Sequence, residues 1–171
     1  MHFEKVSFEA FKRDVYQHYD YGVISDEEIK AAYDNIVLPE RKTKYSAGYD
    51  VCTPVSVLIH SGQSVVIPTG IKAVFTEEEM ETWCLKLYAR SSIGIKDKVV
   101  VTNAVGIIDS DYQFAENDGD MMLALTNIGS TEKMYRPGHR ICQAIFEIHG
   151  ITSDDAAFGK RTGGLGSTSI R

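Results

Sequence analysis

From about Tyr45 onward the sequence is cut into short stretches in which apolar and polar residues alternate, each closed by Gly, Pro, Asn or Asp. A period of two sends successive side chains to opposite faces, which suits strands with one buried face and cannot be met by a helix. Residues 65–67 run into Pro68-Thr69-Gly70, Ile71, Ala73 and Phe75 alternate with Lys72 and Val74, and Trp83, Leu85 and Leu87 alternate with Cys84, Lys86 and Tyr88. Residues 121–127 and 141–148 continue the series, the second with Cys142, Ala144, Phe146 and Ile148 on one face. Many short strands between turn residues predict an all-β barrel or sandwich.

The first forty residues follow another rhythm. Phe3, Val6, Phe8, Phe11, Val15 and Tyr19 have a mostly helical spacing, which predicts a first helix. Ser25 with Glu28 fits a capping box, and Ile29, Ala32, Tyr33 and Ile36 then form one face of a second helix that Leu38-Pro39 ends. The expected organisation is a helical extension over 1–38 packed on the main body or on a neighbouring subunit, a β body over 39–158, and an arm over 159–171. The arm carries Gly159, Gly163, Gly164 and Gly166 with almost no apolar residue, and mobility is expected of it.

Composition narrows the class. With 171 residues, 43% hydrophobic and 25% charged, the chain is long enough for one domain with a sizeable core. Its longest apolar runs fall far short of the roughly 18 residues of a membrane span, so no membrane role is expected. The amino terminus shows no apolar h-region or small-residue cleavage site, which predicts a cytoplasmic protein. Cys52, Cys84 and Cys142 lie far apart without a CxxC, arguing against a disulfide framework or a cysteine zinc site. A net charge of −6 argues against nucleic acid as a partner. Small phosphates remain open, because a few local cations and a metal ion can hold them.

Four segments could carry such chemistry. The arm 161–168, Arg-Thr-Gly-Gly-Leu-Gly-Ser-Thr, offers backbone N–H groups, hydroxyls and a cation to an oligophosphate, although a flexible tail has the same composition. It lacks the GK[ST] of a Walker A loop. Arg90-Ser91-Ser92 emerges where a strand ends, as a surface turn would. Asp109-Ser110-Asp111-Tyr112 sets two carboxylates beside an aromatic, which could hold a metal or act as a base, but reads first as a turn. Pro137-Gly138-His139-Arg140 leads into a strand carrying Gln143 and reads first as a hairpin turn.

Their order is more informative than any one of them. Tyr45-Ser46-Ala47-Gly48-Tyr49-Asp50, Arg90-Ser91-Ser92, the stretch from Asn103 through Gly106, Ile107, Ile108 and Asp109 to Tyr112, Gly138-His139-Arg140-Ile141-Cys142-Gln143, and the Gly-rich arm together resemble the five motifs of the trimeric dUTPase family. The resemblance spans about residues 38–171.

What the resemblance implies is a distorted jelly-roll β-barrel assembled as a homotrimer that converts dUTP to dUMP and pyrophosphate with Mg²⁺. One chain would supply the first, second and fourth motifs, a second chain the nucleoside hairpin, and a third the arm. Asp109 falls on the catalytic carboxylate that activates water, and Tyr112 on the ring whose packing leaves no room for a 2′-hydroxyl. Asn103, with backbone groups of the hairpin including Gly106 and Ile108, would read uracil. Arg90, Ser91, Ser92 and Gln143 would contact phosphates, Asp50 would help hold the metal through water, and Arg161, Gly166, Ser167 and Thr168 would close over the γ-phosphate.

The sequence departs from the pattern at four places. Leu165 stands where a base-stacking Phe is usual, Ser92 replaces a Gly, His139 replaces an Asp, and an acidic stretch, 114–120, replaces a Gly-Glu. Phe114 in that stretch is a substitute candidate for stacking. Two rival readings are a dCTP deaminase of the same fold and a nucleotide-responsive module that acts on a protein partner through its N-terminal extension. Deamination needs a glutamate on the strand after the hairpin, and residues 121–127 have none.

Overall fold

A computed structural model describes residues 1–19 and 22–164. In chain order the elements are β1 (His2–Lys5), α1 (Phe8–His18), α2 (Asp26–Asp34), β2 (Tyr49–Cys52), β3 (Val57–Ile59), β4 (Ser64–Pro68), β5 (Ile71–Val74), α3 (Glu77–Met80), β6 (Trp83–Ala89), β7 (Val99–Val101), β8 (Gly106–Ile108), β9 (Met122–Asn127), β10 (Lys133–Tyr135) and β11 (Arg140–Ile148). A π-helical turn over Ser92–Asp97 follows β6, and a 3₁₀ turn over Ser110–Phe114 follows β8. The fold is mainly β and jelly-roll-like.

All strand pairings are antiparallel, in the orders β2-β11-β6-β8, β4-β9-β7, β10-β3 and β1-β5. Sequence neighbours therefore sit in different sheets. Gly138, at φ +81°, makes the turn between β10 and β11, but those strands pair elsewhere, so the turn joins two sheets and is not a hairpin. The strand β11 is buried at Ile141, Cys142 and Ala144, whereas Ile148 is exposed at its far end, against the alternation expected of it.

The amino-terminal segment corrects the sequence reading. Phe3 lies in a strand, not a helix: β1 pairs residue for residue with β5, Phe3 opposite Ala73, before Ser7 caps α1 by accepting from the Ala10 N–H. The second helix has the expected capping box but ends at Asp34, so Ile36 enters the core from the chain beyond it. Val6, Phe11, Val15 and Ile29 are at most 1% exposed and share one apolar cluster with Ile67, Ile71, Leu87 and Leu123. Val6, Phe11, Val15 and Ile29 are thus part of the body's own core, each worth roughly 1.5–3 kcal/mol when buried. Gly70 shows how closely they fit. At φ +67° it turns the chain between β4 and β5, and a Cβ there would run into Ile36 and lie 2.9 Å from Phe11.

Cys84 and Cys142 are buried free thiols and Cys52 is a half-buried one. Among the described residues no helix is long and apolar enough to cross a membrane.

Candidate active site

Two groups of polar side chains gather at opposite ends of β6. At its C-terminal end, Arg90 donates from Nε to Asp50 Oδ1 at 2.8 Å, and Arg140 from Nη1 to Asp50 Oδ2 at 3.1 Å. Strand pairing explains the meeting, since β11 runs between β2 and β6 and places Gln143 opposite both Asp50 and Tyr88. Gly48 makes room for it: a Cβ there would sit 2.6 Å from Gln143 Oε1. Ser91 is exposed at the strand end, and Ser92 opens the π-helical turn beside it. Asp50, Arg90, Ser91, Ser92 and Gln143 are therefore neighbours, and Arg140, to which the sequence reading gave no role, joins them.

At the other end of β6, Leu85 lies opposite Ile108 and Leu87 opposite Gly106, so Asp109 leaves the sheet beyond Leu85. Asp109 is the N-cap residue just before the 3₁₀ turn, a place where Asp normally caps the following N–H groups. Here its side chain makes no capping bond. The carboxylate instead faces a cleft of about 560 Å³ lined also by Lys86, Asp111, His149 and Arg161. Arg161 donates from Nε to Asp111 at 2.7 Å and from Nη2 to Asp109. Burial disfavours the guanidinium charge, but the Asp111 and Asp109 carboxylates outweigh it and raise the Arg161 pKa.

Tyr112, one turn on from Asp109, is 6% exposed, and burial pushes its phenol pKa up. Its ring lies under the Arg161 guanidinium at 5.5 Å, and its Oη accepts from Asn117 Nδ2 at 3.0 Å. Ser110 Oγ donates to the Met80 carbonyl at 3.0 Å and ties the turn to α3. Asn103 is exposed in the β7–β8 connection, where Ala104 takes a positive φ of 65°. Phe114 is also exposed. Gly166, Ser167 and Thr168, with Leu165, lie outside the described residues.

Arg90 and Asp109 do not meet. Five residue steps lead from Leu85 to Arg90, about 17 Å at 3.3 Å per residue, with Asp109 beyond Leu85 on the far side. The sequence reading also missed Asn117, a polar loop residue with no periodic signal, and the close approach at Gly48, for which the glycine itself was the clue.

Residues 34–168 match the dUTPase family model. The deoxyuridine 5′-triphosphate nucleotidohydrolase of Lactococcus lactis subsp. lactis is 36% identical over 146 residues, covering 82% of this chain and 95% of that protein. The one from Tolumonas auensis is 34% identical, covering 77% and 86%. Among solved structures, a dUTPase from Streptococcus mutans superposes with a TM-score of 0.66 at 28% identity, over 90% of this chain and 99% of that one. Motif order, jelly-roll-like topology and these matches agree, and the chain belongs to the dUTPase family.

Proposed function

We propose that this chain hydrolyses dUTP to dUMP and pyrophosphate, at sites shared between the subunits of a homotrimer. The observation that carries the assignment of the base is the Asp109 carboxylate, turned away from the N–H groups it could cap and into a cleft, on the same turn as the buried ring of Tyr112.

A general base has to reach a water beside the α-phosphorus. Asp109, exposed at the start of a turn tied to α3, takes the proton of that water as it attacks, and the bond to the bridging oxygen of pyrophosphate breaks. Arg90, Ser91, Ser92 and Gln143 contact the phosphates, with donors aimed at the charge that develops on their oxygens. Arg161 pairs with Asp109 within one chain, and release of that carboxylate frees the base while the guanidinium takes the γ-phosphate together with Gly166, Ser167 and Thr168. Tyr112 packs against the deoxyribose and excludes a 2′-hydroxyl. Asn103, with the backbone of Gly106 and Ile108, reads the uracil edge, and lack of space excludes the thymine methyl.

Asp109 lies beyond Leu85, itself about 17 Å from Arg90 along β6, and this separation supports a site built from more than one chain, since a triphosphate nucleotide must touch both groups.

The donor set fits Mg²⁺ carried by the substrate. Among the described residues no three His, Cys, Asp or Glu side chains could hold a metal together. Mg²⁺ keeps several waters and binds through one or two carboxylates plus phosphates, so it needs no such cage. Asp50, whose oxygens face Arg90 and Arg140, would hold it through water, and the ion would neutralise the charge of the phosphates.

In the N-terminal segment Val6, Phe11, Val15 and Ile29 fill the chain's own core while Tyr16, Val23, Val37 and Leu38 stay exposed, so its buried face is accounted for without a protein partner. For the deaminase alternative, β9 is Met-Leu-Ala-Leu-Thr-Asn and has no glutamate. The test is pyrophosphate release from dUTP, UTP, dCTP and dTTP with Mg²⁺ and with EDTA. Metal-dependent turnover confined to dUTP is expected; ammonia from dCTP, or silence on all four, contradicts the reading.

A further inference from the structure

The acidic stretch that departs from the family pattern forms a tight loop against the turn carrying Tyr112. Asp118 and Gly119 both take left-handed backbone conformations, at φ +57° and +75°. A Cβ at Gly119 would lie 2.9 Å from the Gln113 Cα and 3.1 Å from the Tyr112 carbonyl, so the loop backbone presses directly on that turn. Within it, Asn117 uses its Nδ2 twice, donating to the Tyr112 Oη at 3.0 Å and to the Asp120 carbonyl at 2.9 Å. With both N–H bonds made the amide is held in orientation, its buried Oδ1 being left without a partner among the described residues.

The loop is itself held by the parts of the chain that flank it. Asp118 accepts from the Ser7 N–H at 2.6 Å and pairs with Lys72 at 2.9 Å. Asp120, wholly buried, accepts on Oδ1 from the N–H groups of Thr69 at 3.1 Å and Gly70 at 2.8 Å. On the side of the arm, the Glu116 N–H donates to the Thr162 carbonyl at 3.2 Å. One chain of bonds thus runs from the start of α1 and the β4–β5 turn, through the loop, to the phenol.

We infer that Asn117 is a positioning and specificity-determining residue, which holds the Tyr112 ring at the clearance that separates a deoxyribonucleotide from a ribonucleotide. The inference rests on the reading above that Tyr112 faces the sugar. A ring excludes a single hydroxyl only if it cannot tilt or retreat, and displacements of an ångström or less decide such selection. The packing beneath Tyr112 sets one edge of the ring, and the Asn117 bond sets the other. It also gives the N-terminal segment a place in selectivity, because Ser7 and α1 anchor the loop that makes that bond.

The test compares kcat/KM for dUTP and UTP in the full-length protein, wild type and the variants Asn117→Ala, Tyr112→Phe, Tyr112→Ala and the double variant Asn117→Ala/Tyr112→Phe. Loss of one neutral hydrogen bond corresponds to roughly a two- to tenfold effect. Asn117→Ala and Tyr112→Phe, which remove the two ends of one bond, are expected each to lower the dUTP/UTP ratio by that factor, through KM more than through kcat. In the double variant the second change adds less than about twofold. If Asn117→Ala does not fold, Tyr112→Phe still removes the same bond. An unchanged ratio in Tyr112→Phe, or a full second loss in the double variant, overturns the inference while a collapse in Tyr112→Ala upholds the sugar contact. If Tyr112→Ala also leaves the ratio unchanged, the sugar contact itself is wrong and the inference falls with it.

Discussion

Arg161 bridges Asp109 and Asp111 with one guanidinium, donating from Nε to Asp111 and from Nη2 to Asp109 while lying over the ring of Tyr112. The carboxylate assigned as base and the ring assigned to the sugar therefore share a cation from the root of the carboxyl-terminal arm. Its planar fork presents Nε and Nη2 side by side to the two carboxylates, a fixed geometry that a lysine ammonium, a compact point charge, does not reproduce.

Replacing that fork tests the role of the arm. Arg161→Lys is expected to lower kcat/KM for dUTP at least about tenfold, and Arg161→Ala about a hundredfold, the range typical of a lost donor to developing charge. Steady-state kinetics with dUTP decide it, and wild-type values in both variants would remove Arg161 from the site.

Gly48 tests the phosphate end. A methyl there meets the tip of a flexible side chain, Gln143 Oε1, so Gly48→Ala should displace Gln143 rather than unfold the chain. We expect a Tm near that of wild type, a stability change within about 1 kcal/mol, and a KM for dUTP raised severalfold. A large fall in Tm with wild-type kinetics in the remaining folded fraction would show that the glycine serves only packing.

Asp120 predicts how stability varies with pH. Burial first, and the nearby Asp14 charge second, push its carboxyl from the ordinary 3.8 up to about 7. Between these values the folded chain holds a proton that the unfolded chain has released. Its contribution is therefore fully present below about pH 4 and is lost as pH rises toward 7, by at most about 4 kcal/mol. Asp120→Asn keeps an acceptor for Thr69 and Gly70 and cannot ionise. The variant's Tm should gain on that of wild type as pH rises from 4 to 7, and parallel Tm curves would refute this.

Phe11 tests the place of the N-terminal segment in the core. It is fully buried against Tyr33 and the Gly70 turn. Phe11→Ala is expected to cost about 3–5 kcal/mol in urea unfolding, and deletion of residues 1–38 to leave no cooperative transition. A truncated chain that unfolds cooperatively would show the segment to be an appendage.

The β body was legible because alternation over residues such as Trp83 to Ala89 reports directly on a half-buried strand. The amino-terminal strand was not. Phe3 and Val6 are three apart, as on a helix face, and only pairing with β5 makes His2–Lys5 extended. Ile36 looked like a helix residue for the same reason, since its burial comes from Gly70 and not from its own helix. Motif order brought Asp50, Arg90 and Gln143 to one place and Asp109 and Tyr112 to another. Arg140 escaped because its partner lies 90 residues away, in a contact that only tertiary packing creates, and Asn117 because its bond to Tyr112 depends on a loop conformation with no periodic signal. A Gly-rich tail gave no sign that Arg161 would dock on carboxylates fifty residues earlier.

A shared site can be tested by complementation. Asp109→Asn removes the base and should lower kcat by about a hundredfold or more, and Arg90→Ala should do comparable damage at the phosphates. The two variants are co-expressed with different tags, and the mixed oligomers are isolated and assayed for pyrophosphate release from dUTP. If Asp109 and Arg90 reach one nucleotide from different chains, both groups are intact at one of the three sites of each mixed trimer, and activity rises far above that of either parent. Mixed oligomers no more active than the parents would place both residues in a site formed by a single chain, contrary to their separation along β6.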